Sequence, residues 1–131
     1  MKINDISYHI RGAIYDVYNE LGPGLLESVY EHALMLEMRH RGLKVENQVE
    51  FDVLYKGTAL GIKQRIDLMV DDLVLIELKS VESLLPVHFK QLIGYLKLTN
   101  KPLGFLVNFN TDCINDNIKR LANDKSNKEL R

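Results

Sequence analysis

The sequence predicts an α/β (α+β) fold, a mixed central sheet of about four strands flanked by helices in the order α-α-β-β-β-α-β. Three observations predict it. The chain opens with two long stretches whose apolar residues recur at helical spacing. Three apolar or alternating runs follow, separated only by tight-turn residues. A proline-started helical stretch then separates the third run from a fourth. Consecutive strands with short turns make an antiparallel meander, and a crossover helix lets the last strand join in parallel.

In the first stretch Ile3, Ile6, Ile10, Ile14, Val17 and Leu21 share one helix face. Asn4 or Asp5 can cap this helix, and Gly22-Pro23 ends it. The second helix is expected from Leu25 to Arg41, with a core stripe of Leu26, Val29, Tyr30, Ala33 and Met38, and Gly42 stops it. Val49, Phe51, Val53 and Tyr55 alternate with polar residues, so Glu50 and Asp52 should meet solvent. Lys56-Gly57 turns the chain into a second strand, Thr58 to Val70, and Asp71-Asp72 into a third, Leu73 to Ser80. Pro86 suits the first turn of a helix reaching Thr99, and Lys101-Pro102 separates it from a fourth strand, Leu103 to Phe109. Asn110 to Asn117 reads as loop, Ile118 to Leu121 as a short strand or helical turn, and residues 122–131 as a frayed tail.

The composition bounds the function. A chain of 131 residues suits one domain, and 46% apolar with 27% charged residues is ordinary globular usage. One cysteine, Cys113, excludes an intrachain disulfide and fits a reducing, cytoplasmic setting. No apolar run reaches the roughly 18 residues of a membrane span. The formal charge of -1 argues against a tight, non-specific nucleic-acid binder, which carries a basic excess. A phosphate-rich partner must therefore be held locally, by a patch or a metal ion.

The third strand holds the chemistry. Leu73-Val74-Leu75-Ile76-Glu77-Leu78-Lys79 is apolar until Glu77 and Lys79, which alternation puts on one face. Burying both costs several kcal/mol unless they are paired or hold an ion. Asp67 interrupts the preceding strand between Ile66 and Leu68. If Asp67 comes beside Glu77, the two carboxylates repel until a proton or a cation intervenes. A hard ion such as Mg²⁺ (or Mn²⁺) suits carboxylate, carbonyl and water oxygens, and can polarise a phosphoryl group. Lys79 can orient an attacking water or stabilise charge at phosphorus. The register sets a condition. A two-residue turn at Asp71-Asp72 would pair Val70 with Leu73 and send Asp67 to the wrong side, so the pairing must shift by one.

With Arg65-Ile66-Asp67 and Glu77-Leu78-Lys79 stand two further motifs. Gly24-Leu25-Leu26-Glu27-Ser28-Val29-Tyr30 reads GxxExxY, and Gln91-Leu92-Ile93-Gly94-Tyr95 reads QxxxY. Together, in this order from about Ile6 to Leu121, they resemble the PD-(D/E)XK nuclease superfamily and its small GxxExxY branch. Ile66 replaces the usual proline. The resemblance implies a restriction-endonuclease-like core and a metal-dependent nuclease acting on nucleic acid, DNA ahead of RNA, with a homodimer compatible. It implies Asp67 and Glu77 as metal ligands with the Leu78 carbonyl, and Lys79 positioning the nucleophile. It implies Glu27 supporting the metal or its water, Gln91 in the site, and Tyr95 and Tyr30 near substrate.

Plainer readings stand beside these. Glu27 at a helix start also complements the helix dipole. Tyr30 and Tyr95 are of a type that packs half-buried, and His88 reads as a packing or surface histidine. Arg39, His40, Arg41 and Lys44 suit a helix C-terminus. Cys113 has no base beside it in sequence. For the whole chain the alternative to a nuclease is a catalytically weak or inactive nucleic-acid- or protein-binding module that keeps the fold. The intact Asp/Glu/Lys set favours the enzyme.

Overall fold

The computed structural model describes residues 1–124. Helices α1 (Ile3–Leu21) and α2 (Glu27–His40) precede a meander of β1 (Val45–Tyr55), β2 (Thr58–Val70) and β3 (Val74–Lys79). Helix α3 (Pro86–Thr99) crosses to β4 (Leu103–Asn108), and a 3-10 turn (Ile114–Asn117) leads to β5 (Ile118–Ala122). The sheet runs β1-β2-β3-β4-β5, antiparallel except for the β3–β4 pair. The expected α/β fold is present, and the run after Asn117 resolves to a strand, giving five strands instead of about four. Ile118 pairs with Val107 and buries its side chain, which decides between strand and turn.

The sheet separates two cores. On one face Ile6, Ile10, Ile14, Tyr30, Leu34 and Met38 of α1 and α2 pack on Leu68, Ile76 and Phe105. On the other, Leu92, Tyr95 and Leu96 of α3 pack on Ile66, Leu75 and Leu106. With both faces covered, β3 is buried along almost its whole length, which is why its sequence is continuously apolar.

Several boundaries differ from expectation. Helix α1 starts at Ile3 behind Lys2 without a side-chain cap, because Ile3 itself packs on the core; Asp5 lies in the first turn and complements the dipole. In α2 the buried face is Tyr30, Glu31, Leu34, Met35 and Met38. Leu26, at 75% exposure, precedes the helix, and Val29 faces outward. The stripe is turned because the inward face must also deliver Glu31 to β1. The chain end is tied down further than expected. Ala122 pairs with Leu103, and the buried Asn123 amide donates to the Leu96 and Lys101 carbonyls at 3.0 and 2.9 Å. The remainder of the expected tail, 125–131, lies outside the described residues.

Strands β1 and β2 change faces together. Val45, Leu68 and Val70 lie in the α1/α2 core, whereas Val49, Phe51 and Ile66 lie against α3. Regular alternation would keep Val49 with Val45 and Ile66 with Leu68. The break falls between the pairs Asn47↔Leu68 and Val49↔Ile66, at Gln48 and Asp67, and Gln48 takes a left-handed φ of 49°.

Two glycines give opposite expectations for the same substitution. A Cβ on Gly104 would lie 3.1–3.2 Å from three atoms of fully buried Leu92, which has no room to swing. Gly104→Ala should cost about 1–2 kcal/mol by overpacking. Gly94 sits inside α3 with nothing near its Cβ position. Gly94→Ala should stabilise by about 0.5–1 kcal/mol through helix propensity. Urea midpoints of the two variants check both signs.

Candidate active site

The β2–β3 connection supplies the required shift. Val70 pairs with Val74, so the loop holds three residues, with Asp71 and Asp72 at φ 50° and 57° and the Leu73 N–H donating to the Val70 carbonyl. The loop is latched from outside: the Asp71 carboxylate accepts the Lys44 N–H at 2.8 Å, and the Asp71 N–H donates to the Lys44 carbonyl at 2.8 Å. The ladder runs Val70↔Val74, Met69↔Leu75, Leu68↔Ile76, and the next positions are Asp67 and Glu77.

There the ladder gives way to side chains. The Asp67 N–H donates to Glu77 Oε1 at 3.0 Å, and the Leu78 N–H donates to Asp67 Oδ2 at 2.8 Å. Each acid accepts a main-chain donor from the other's strand, where a regular sheet would offer a carbonyl. Each carboxylate is thus tied to the opposite strand at the point where β2 and β3 part.

Their electrostatics follow from this packing. Glu77 is 5% exposed. Burial, and then the Asp67 charge, push its pKa up to about 8, against the pull of the Asp67 N–H and Lys79. Asp67 is also raised, chiefly by burial, although the Leu78 and Gln48 hydrogen bonds oppose the shift. Glu27 is raised by burial and by Asp67, and lowered by Lys79 and His88. Three acids and one lysine therefore share a single field, with Lys79 the cation that all three feel.

Glu27 occupies the first turn of α2, behind a loop held by Tyr30. The Tyr30 hydroxyl donates to the Gly22 carbonyl at 2.6 Å and accepts the Leu25 N–H at 3.1 Å, while its ring stacks on Phe109 at 4.2 Å. Its side chain is fully buried, so the expected substrate contact through Tyr30 is corrected: it braces the loop that presents Glu27. On the other face, the exposed Gln91 donates to the Tyr95 hydroxyl at 3.0 Å, which donates to Gln64 Oε1 at 3.1 Å. Tyr95 is 8% exposed, and burial and the Glu77 charge raise its pKa. With both functions of the hydroxyl engaged, Tyr95 supports Gln91 and presents little surface of its own. His88 caps its own helix, its Nδ1 accepting the Leu85 N–H at 3.0 Å, in line with the plainer reading.

Glu27, Ser28, Glu31, Gln48, Asp67 and Leu78 line a pocket of about 310 Å³. Glu31 and Gln48 were not singled out by sequence. Glu31 follows Glu27 by four residues, so the same helix face carries both, and that spacing was the available signal. Gln48 had none, because its left-handed backbone is not legible in a strand of alternating residues.

Among the described residues, no three His, Cys, Asp or Glu side chains form a preformed metal cage. Two adjacent carboxylates, a strand carbonyl at Leu78 and an open pocket are nonetheless a donor set suited to a hard divalent ion, which keeps several waters. The raised proton affinity of both acids is the strain such an ion relieves. The residues fit the group.

The Glu77 shift has a thermodynamic consequence. Its folded pKa of about 8 lies above the unfolded value of 4.5, so the native state holds the proton longer. Without metal, stability should fall as pH rises through that interval, by an amount on the order of a few kcal/mol, and Asp67 adds to it with the same sign. Glu77→Gln should flatten most of the fall. Urea titrations in chelator across the interval test this, and a flat wild-type profile would contradict it.

Residues 4–121 match the model of the PD-(D/E)XK nuclease superfamily, whose nucleases generally use divalent metal ions. No curated protein matches the chain. The chain resembles the crystal structure of SSO0001 at 23% identity and a TM-score of 0.49, covering 79% of this chain and 55% of that one, so it spans about half of that protein's length. Among the described residues, no helix is long and apolar enough to cross a membrane. With the match running over nearly the full length, the chain belongs to the PD-(D/E)XK nuclease superfamily.

Proposed function

We propose that this protein is a metal-dependent nuclease that hydrolyses phosphodiester bonds of nucleic acid, of the small GxxExxY branch. One observation carries the reading: Asp67 and Glu77 interlock through each other's strand, with Lys79 two residues on. Asp67 and Glu77 would hold Mg²⁺ or Mn²⁺, with the Leu78 carbonyl as a further donor. When bound, such an ion supplies positive charge at the scissile phosphate and makes a nearby water more acidic. Lys79 hydrogen-bonds the attacking water or a phosphoryl oxygen, where negative charge grows as the bond to phosphorus forms. Glu27 lines the same pocket as Asp67 and would orient water. Gln91, held by Tyr95, would contact the nucleic-acid backbone. The formal charge of -1 fits a site that grips phosphate through an ion instead of a broad basic surface.

Calorimetric titration with Mn²⁺ or Mg²⁺ is expected to show binding by the wild type and none by Asp67→Ala. Equal binding by the two would remove the metal-dependent reading. Cleavage assays on single-stranded, double-stranded and branched DNA, with RNA as a further arm, then define the substrate. Lys79→Ala should lose about 10²–10³-fold in rate, the usual loss for one charge-stabilising donor, while metal affinity is kept.

A further inference from the structure

Glu31 is a carboxylate at 6% exposure, and the proposed chemistry gives it no part. Its Oε2 accepts from Asn47 Nδ2 at 3.2 Å and its Oε1 from Gln48 Nε2 at 2.5 Å. The same Gln48 nitrogen lies 3.4 Å from Asp67 Oδ1. An amide nitrogen carries two hydrogens and donates only, so it can serve both carboxylates at once. Flipped, the amide would turn its oxygen on two negative groups. Glu31 therefore determines which end of the Gln48 amide meets Asp67.

The arrangement is costly. A left-handed backbone at a residue other than glycine, as at Gln48, is strained. A buried carboxylate is unfavourable unless it is hydrogen-bonded. The left-handed residue sits at the face change of β1 and β2, and the buried carboxylate of α2 hydrogen-bonds to it. A site needing only to be filled would be served by an apolar residue on α2 and a regular strand.

Building on the metal-dependent reading above, we propose that Glu31 and Gln48 are positioning residues for the cation site. Glu31 orients the Gln48 amide. That amide, with the Leu78 N–H on Oδ2, holds the Asp67 carboxylate in one orientation. The Gln48 contact engages one lone pair of Oδ1 and leaves the other available to an ion.

The test compares wild type, Gln48→Gly, Glu31→Gln and the double variant by Mn²⁺ calorimetry, with thermal melts in chelator alongside. Gln48→Gly deletes the amide while tolerating the left-handed backbone, so the fold is expected to hold. Mn²⁺ affinity should fall about 10–100-fold in each single variant, the usual loss when an outer partner of a metal ligand is removed. Because Glu31 acts through Gln48, adding Glu31→Gln to Gln48→Gly should weaken binding by less than about twofold more. A merely structural role would lower the melting temperature and leave the affinity of the folded protein unchanged. Gln48→Gly affinity within twofold of wild type, or losses that add, would overturn the proposal. If Glu31→Gln does not fold, the Gln48→Gly titration decides alone. Wild type that binds no Mn²⁺ overturns this inference and the metal-dependent reading together. Wild type that binds, with Asp67→Ala silent and Gln48→Gly normal, overturns this inference alone.

Discussion

Two main-chain donors, the Asp67 and Leu78 N–H groups, give their hydrogen bonds to carboxylates instead of carbonyls. Much of the local architecture follows from that exchange. A sheet keeps its strands together by pairing every backbone group, and a strand that leaves the ladder exposes unsatisfied donors. Here the acids satisfy those donors, each through the other's strand. These two donors stay satisfied where the strands part, and both carboxylates are tied to that point.

Such a parting is stable only if the rest of the sheet is held on both sides. The α1/α2 core grips β3 through Val74, Ile76 and Leu78, and the α3 core through Leu75. Only Glu77 and Lys79 on the α3 side are polar in this strand, so the apolar residues pin it while the charged ones meet the opening. The parallel pairing of β3 with β4 continues from Val74 to Lys79, past the point where β2 has parted. One edge of β3 therefore remains fully paired while the other opens, which keeps Lys79 in line with Glu77.

The site draws on both faces of the sheet. Glu27 and Glu31 reach it from α2, and Gln91 and Tyr95 lie on α3, beyond the β3 charges. β1 and β2 switch faces at Gln48 and Asp67, between these two groups. Burial raises the proton affinity of Glu77, Asp67 and Glu27 alike, and Lys79 alone is too little to offset it for all three. A divalent ion is the natural counter-charge for such a set.

The sequence by itself determined the element order through β4, the C-terminal end of α1, both ends of β2 and α3, and the candidate acids, because apolar periodicity and a charge inside an apolar strand are local signals. It also stated the condition on the β2–β3 register. Only the tertiary structure decided that register, since a two- and a three-residue turn are both open to Asp71-Asp72, and the hydrogen bonds to Lys44, distant in sequence, select the longer one. The same holds for the inward face of α2, for Tyr30 as a brace, and for the links from Glu31 through Gln48 to Asp67. Each depends on which elements meet across the fold, and no spacing along the chain encodes that meeting.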